Sequence, residues 1–300
     1  MEKRSFLSKV KNEYAGRAFA TLCGLLIIVI TAAIIAFIFS KGINTFVKDK
    51  YPVFNYLVSP SWKPDASPDA GGPKFGILTF LSGSVFVAAG AVILSTPVAA
   101  ALAVFMNLIS PGFGKRILAP AMELFVGIPS VVYGWIGVIL LVPFIRDHFG
   151  GIGFSLLAGI IVLSIMILPT ITSISSDAIK SIPRDYIEAS YGLGATRWQT
   201  ISRVIVPAAS EGIETGIVLG LARAFGEALA VQMVIGNSIN IPNSLLNPAS
   251  TLTSILTMDM ANTLFGTPWN DALWSMALVL LVVSFMFILI IRLIGRRRQF

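Results

Sequence analysis

Apolar runs long enough to cross a bilayer alternate with short polar segments along this chain. Residues 18–39 carry no charge, and their number matches a full crossing of about 20 residues. Lys3, Arg4, Lys9, Lys11 and Arg17 precede the run, a pattern shared with secretory leaders. The run exceeds the roughly 7–15 apolar residues of a leader, so it reads as an uncleaved first span. Residues 41–74 are hydrophilic, and Pro60, Pro64, Pro68, Gly71, Gly72 and Pro73 mark them as loop. No ionisable group then occurs until Lys115. That stretch is too long for one straight span, so a short interfacial piece plus a second helix containing Pro97 is predicted. A third helix is predicted over 117–144, with Glu123 inside it and Pro129 among glycines, which favours a kink or break. A fourth is predicted over 150–174 and a fifth over 208–235. An Asn-rich polar connection, 236–271, leads to a sixth over 272–291.

Composition agrees with this pattern. Only 12% of the 300 residues are charged, and the mean hydropathy is +0.83. An all-α membrane protein of six spans is expected, in contact with lipid. Cys23, the single cysteine, lies in an apolar run, which excludes a disulfide framework and a thiolate metal site. His148 sits in a short turn and is given no role. The net charge of +7 needs no nucleic-acid partner, because its distribution follows the positive-inside rule. Fifteen Lys and Arg fall on the side holding both termini, Lys115, Arg116 and the polar stretch near residue 190. Six fall on the other side. Both termini and that stretch are expected to be cytoplasmic.

That stretch, residues 185–207, reads DYIEASYGLGATRWQTISRVIVP. Its punctuation predicts a short helix around Glu188, Ala189 and Ser190, ended by Gly192 and Gly194. Thr196 is suited to cap a second helix, and Pro207 to open the next span. The stretch resembles the EAA loop of the membrane subunits of bacterial ABC importers. The family pattern is Glu-Ala-Ala, three residues, Gly, nine residues, then Ile-x-Leu-Pro. Here Glu188-Ala189-Ser190, Gly194 and Val204 to Pro207 keep that spacing, with Ser, Val and Val as departures. The resemblance implies that Glu188, Ala189, Gly194 and Pro207 couple the chain to an ATPase.

The fifth run holds the costliest residues. Arg223 lies fifteen residues past Ala208, roughly 22 Å along a helix of 1.5 Å rise. An arginine near the bilayer centre costs about 2.5–3.5 kcal/mol on insertion scales, so it needs a partner or a wet cavity. Glu227, four residues on, is expected on the same face and within pairing reach. One reading is a substrate-path site, since a guanidinium fork suits a tetrahedral oxyanion. Glu227 would then balance the arginine when no anion is bound, and accept a proton from a protonated one. The other reading is an ion pair that locks packing. Gly212, Gly216 and Gly220 form a small-residue stripe for close helix packing, either within the chain or against a sister subunit. Glu211 and Glu214 suit the positive end of the helix dipole. Glu123 is either a weaker path or gate candidate or an interfacial acid paired with Lys115 or Arg116. Trp62, Trp135, Trp269 and Trp274 read as interface anchors or packing.

The chain has no G-x-x-x-x-G-K-[ST], no H-E-x-x-H and no Cys/His cluster, so no enzyme active site is expected. Three further blocks resemble the PstC-type permeases of phosphate ABC importers: FGILTFLSGS from Phe75, the block from Met122 to Arg146, and GLARAFGEALAV from Gly220. The resemblance implies a type I importer permease fold. It implies a permease core over 75–293, between an N-terminal portion, 1–74, and a basic tail, 294–300. It places Arg223 and Glu227 on the path of phosphate. It also implies partners: a PstA-type sister permease, two PstB-type ATPases that bind ATP and Mg, and a periplasmic or lipid-anchored phosphate-binding protein. No cofactor is expected in this chain itself. Molybdate, sulfate or a phosphonate would suit the same arginine. An ATP-independent anion transporter would leave the polar loop unexplained, and a non-transporting scaffold would leave Arg223 without purpose.

Overall fold

The computed structural model describes residues 15–296, apart from 68 and 70. Lys3, Arg4, Lys9 and Lys11 of the basic N-terminal segment, and Arg297 and Arg298 of the tail, lie outside the described residues. Nearly all of the rest is helix. Five helices are long and apolar enough to cross a membrane, and a bent pair, Arg197–Ala208 with Ser210–Gly226, makes a sixth when counted as one span.

The first helix, α1 (Ala15–Gly42), is apolar on every side and has almost no buried surface. Its far end packs on the last helix, where Phe37 meets Trp274 edge-on at 5.3 Å. The connection that follows is more ordered than its prolines and glycines foretell. It holds α2 (Asn44–Val47), α3 (Val53–Val58) and an antiparallel ribbon of β1 (Trp62–Lys63) and β2 (Lys74–Phe75). Tyr56, Trp62, Phe75 and Phe80 bury themselves against Leu252, Leu273 and Met276, closing one end of the bundle. The Tyr56 hydroxyl donates to the Ala272 carbonyl at 2.7 Å. Lys48 pairs with Asp271 at 2.9 Å and so ties this cap to the last span.

The second span, α4 (Leu78–Val104), contains Pro97 and ends in a π-helical segment, Phe105–Ile109. The third is broken, as Pro129 foretells: α5 (Ala119–Gly127) stops where Ile128 and Pro129 turn extended, and α6 (Ser130–Ile136) restarts. A π-helical stretch, Gly137–Leu141, then carries the chain into α7 (Val142–Phe149). The fourth span, α8 (Leu156–Lys180), starts and ends about six residues later than its hydropathy predicts, capped by the Ser155 hydroxyl.

The polar loop contains α9 (Arg184–Gly192) and α10 (Arg197–Thr200) and runs on to Ala208. The fifth apolar run is two helices rather than one, α11 (Ser210–Gly226) and α12 (Leu229–Ile235). The Asn-rich connection after it includes α13 (Leu252–Asp259), started by a capping box of Thr251 and Ser254. The last helix is α14 (Pro268–Arg296).

In lipid, helix association has little hydrophobic drive, so small residues at contacts matter most. The packing of α4 on α8 and of α8 on α11 forms the centre. Ala88, Ala91 and Ala99 of α4 are buried there with Leu163, Ile167 and Ile171 of α8 and Phe225 of α11. A side chain at Gly90 would press on Ile160, whose Cδ1 lies 2.7 Å from the position of the missing Cβ.

Candidate functional site: a broken helix and a polar loop

The α11–α12 break is where the costly residues meet the core. Helix α11 ends at Gly226, and Glu227 is extended at φ −73° and ψ 126°. Ala228, at φ −110° and ψ −63°, starts the return to helix in α12. The break leaves backbone groups without ladder partners, and side chains supply some. Thr253 of α13 donates its hydroxyl to the Glu227 carbonyl at 2.8 Å. The Glu227 carboxylate accepts from the Ala230 N–H at 3.3 Å and so caps α12. Broken helices at membrane depth are tolerated where protein or a wet cavity meets the freed backbone.

The expected pairing of Arg223 with Glu227 does not form; no ion pair joins them. The i,i+4 relation needs continuous helix through both residues, and Glu227 lies just past the end of it. Arg223 instead occupies the last turn of α11 and donates from Nη1 to the Thr170 hydroxyl of α8 at 3.0 Å. A cation in a last turn is favoured by the helix dipole, which accounts for this half-buried arginine without a carboxylate. Thr170 takes one of the five N–H donors of the guanidinium. Glu227 lines a cavity of about 10 Å³ with Ser84, Val87, Ala224, Phe225, Val231, Thr251 and Thr253. That is room for about one water.

Glu123 is exposed on α5 and forms no ion pair with Lys115 or Arg116, which removes the interfacial pairing as its explanation. Gly212, Gly216 and Gly220 lie along α11 against α8. Gly212 abuts Ala178, Gly216 lies beside the Ile171 carbonyl and Ile174, and Gly220 beside Ile171. Glu211 stands in the first turn of α11.

The polar loop is built from its own sequence. Glu188 and Ala189 are exposed on α9. Gly194 takes φ +80°, a left-handed conformation that costs glycine little. Thr196 then caps α10: its hydroxyl accepts from the Gln199 N–H at 3.3 Å, and its own N–H donates to the Gln199 side chain at 2.8 Å. A buried hydrogen bond of 2.9 Å between the Ser190 and Thr200 hydroxyls holds the two helices together. Ser190 is one of the departures from the Glu-Ala-Ala pattern, and here it does structural work. Pro207 lies in the last turn before a 63° bend into α11. Ile201, Ile205 and Ala209 anchor the loop against Ala103 and Ile179. Its outer surface presents Tyr186, Tyr191, Leu193 and Trp198, with Leu193 89% and Trp198 68% exposed. Large apolar groups on a polar, exposed loop mark an interaction surface.

Thr170 and Thr253 escaped the sequence reading, since single threonines in apolar runs carry no local signal. Gly226 before Glu227 was a usable hint of the break. Arg197 of the loop likewise carries no local sign of its acceptors at the end of α4.

Comparison with known proteins identifies the family and the fold. The family model for the "Binding-protein-dependent transport system inner membrane component" matches residues 95–300. The chain is 51% identical over 289 residues to the "Probable ABC transporter permease protein YqgH" of Bacillus subtilis, covering 96% of this chain and 92% of the relative. It is 34% identical over 259 residues to the "Phosphate transport system permease protein PstC" of Mesorhizobium japonicum, covering 80% and 77%. Among solved structures, a chain of a bacterial alginate ABC transporter superposes with a TM-score of 0.63 at 15% identity, covering 97% of both chains. A chain of the inward-facing MetNI methionine transporter gives 0.55 at 20% identity, covering 74% of this chain and 94% of that one. The fold is that of type I ABC importer permeases. The chain is a multi-pass membrane protein that belongs to the family of binding-protein-dependent transport system inner membrane components.

Proposed function

We propose that this chain is the membrane-spanning subunit of an ATP-driven phosphate importer and forms half of its translocation path. The observation that carries phosphate is the likeness to the Mesorhizobium relative of that name, over four-fifths of this chain. The site's chemistry fits the reading. Arg223 supplies a permanent cation with a planar donor fork, and its half-buried place beside a helix break suits brief contact with an oxyanion. Broken helices near the bilayer midplane are a recurring way for transporters to offer backbone dipoles to ions.

The partners follow from the same reading. A PstA-type sister permease completes the path, and a periplasmic or lipid-anchored binding protein delivers phosphate to the outer face. Two PstB-type ATPases bind ATP and Mg and supply the driving force. One of them seats on the loop around Glu188, with both termini on the same, cytoplasmic side. The exposed Tyr186, Leu193 and Trp198 give that contact its apolar area. Closure of the ATPases rocks the loop, and the bundle passes between outward and inward states.

Arg223→Gln tests the path. Uptake of labelled phosphate should fall by at least about tenfold, as expected when a charge-assisted contact is lost, while the complex still co-purifies. Uptake at the unmodified rate would reduce Arg223 to a packing residue held by Thr170.

A further inference from the structure

Arg197 reaches out of the loop to the end of the second span. Its Nη2 donates to the Leu108 carbonyl and, at 3.1 Å, to that of Ile109. Both carbonyls belong to the terminal π-helical segment, where acceptors have no ladder partners and the helix dipole is negative. A guanidinium meets both demands, being permanently charged and able to serve two acceptors from one group. The same segment is tied a second way. Asn107 donates to the Ala103 carbonyl at 2.7 Å and to the Ser176 hydroxyl of α8 at 2.8 Å. The loop, α4 and α8 therefore meet at residues 105–109, in a π-helical form that often marks functional positions.

The other end of α4 reaches the broken helix. Ser84 lines the cavity that Glu227 lines, and its hydroxyl accepts from the Leu252 N–H at 2.9 Å. Gly83 lies against the Ser250 carbonyl, next to the Thr251 and Thr253 that line the same cavity. From Ser84 to Leu108 the chain covers roughly 36 Å at the rise of an α-helix.

We propose that Arg197 is a positioning residue for transport. It fastens the loop to the end of α4, and α4 carries the loop's displacement to the helix break at Glu227. The proposal rests on the reading that the loop docks an ATPase. A cap that merely stabilised the helix end would leave energy coupling unchanged, and this separates the two roles.

The test uses the assembled importer in vesicles, with the full chain, its ATPase and phosphate-loaded binding protein. ATP hydrolysed and phosphate taken up are measured for the unmodified chain, Arg197→Ala and Arg197→Lys. The expected result for Arg197→Ala is a retained ATPase and about tenfold more ATP consumed per phosphate. Arg197→Lys keeps the charge and should recover part of the coupling. An unchanged ratio in Arg197→Ala overturns the proposal. Loss of the ATPase from that variant also overturns it, because Arg197 would then belong to the docking face. If Arg197→Ala does not accumulate, Arg197→Gln keeps donors at the site and the same ratio decides. Failure of the ATPase to join the unmodified chain would sink the docking reading itself, before any variant is compared.

Discussion

The polar loop and the α11–α12 break interrupt helix at either end of α11, yet they are made by different means. The loop makes its turns and caps with its own residues, while Arg197 reaches outside it to the end of α4. Gly194 turns it, Thr196 and Gln199 cap its second helix, and Ser190 and Thr200 join its halves. The break takes Thr253 from a helix more than twenty residues away, and Arg223 beside it takes Thr170 from α8. An exposed segment has water for whatever it leaves unpaired. The break at Glu227 has a cavity with room for about one water, so distant partners must be in place before it is tolerated.

Substitutions at three glycines and three polar positions probe that contrast. The largest effect is expected at the seam beside the loop. Gly212 abuts Ala178, so Gly212→Val forces α11 off α8. Overpacking of this kind costs about 1–3 kcal/mol or more, and the thermal midpoint of the purified chain should fall sharply. Gly192→Ala, with open space around it, should leave that midpoint near its starting value. Next comes a direct test of how the break is made. Gly226 also has open space, so Gly226→Ala tests whether poor helix propensity alone ends α11. If distant partners make the break, the variant keeps both the break and transport. A continuous helix through Glu227, seen by its structure, would place the cause in local propensity.

Two smaller effects weigh the capping bonds against each other. Glu227→Ala removes the cap of α12 and should cost about 1 kcal/mol by thermal unfolding. Ser190→Ala leaves the Thr200 hydroxyl its bond to the Thr196 carbonyl, so its cost should be about 0.5–1.5 kcal/mol. The smallest effect lies in the cap at the other end of the bundle. Burial, and then the Asp271 charge, raise the Asp49 carboxyl above its usual 3.8, against the pull of Lys48. The folded chain therefore holds that proton more tightly than the unfolded one. The resulting stability is full below 3.8 and is lost as the pH rises through the higher folded-state pKa. Asp49→Asn should flatten the fall in thermal midpoint as the pH rises above 3.8. An unaltered pH profile would mean that Asp49 titrates alike in both states.

The same contrast explains what could be read from sequence. Hydropathy placed the spans because lipid imposes a uniform demand, and Pro129 marked its break by removing a donor. The loop's turns were readable because each is caused by a residue within four positions of it. The course of the fifth run was not. Arg223 and Glu227 fit one helical face by spacing, and only Thr253 and the turn at Glu227 show that the helix has ended. The cap over residues 44–75 was missed for a similar reason: Tyr56 and Trp62 find their partners on Ala272 and Phe80, far along the chain or across a turn. Arg197 is a bare charge in the sequence, because its acceptors, Leu108 and Ile109, lie nearly ninety residues away.

The most direct test of the importer reading is ATP hydrolysis by this chain co-purified with the proposed ATPase and sister permease. It is measured with the binding protein loaded with phosphate, sulfate or molybdate, and with the binding protein empty. Stimulation by the phosphate-loaded form alone is the result a phosphate importer gives. Stimulation by another oxyanion would contradict the substrate, and a preparation from which no ATPase co-purifies under conditions that preserve complexes would contradict the importer itself.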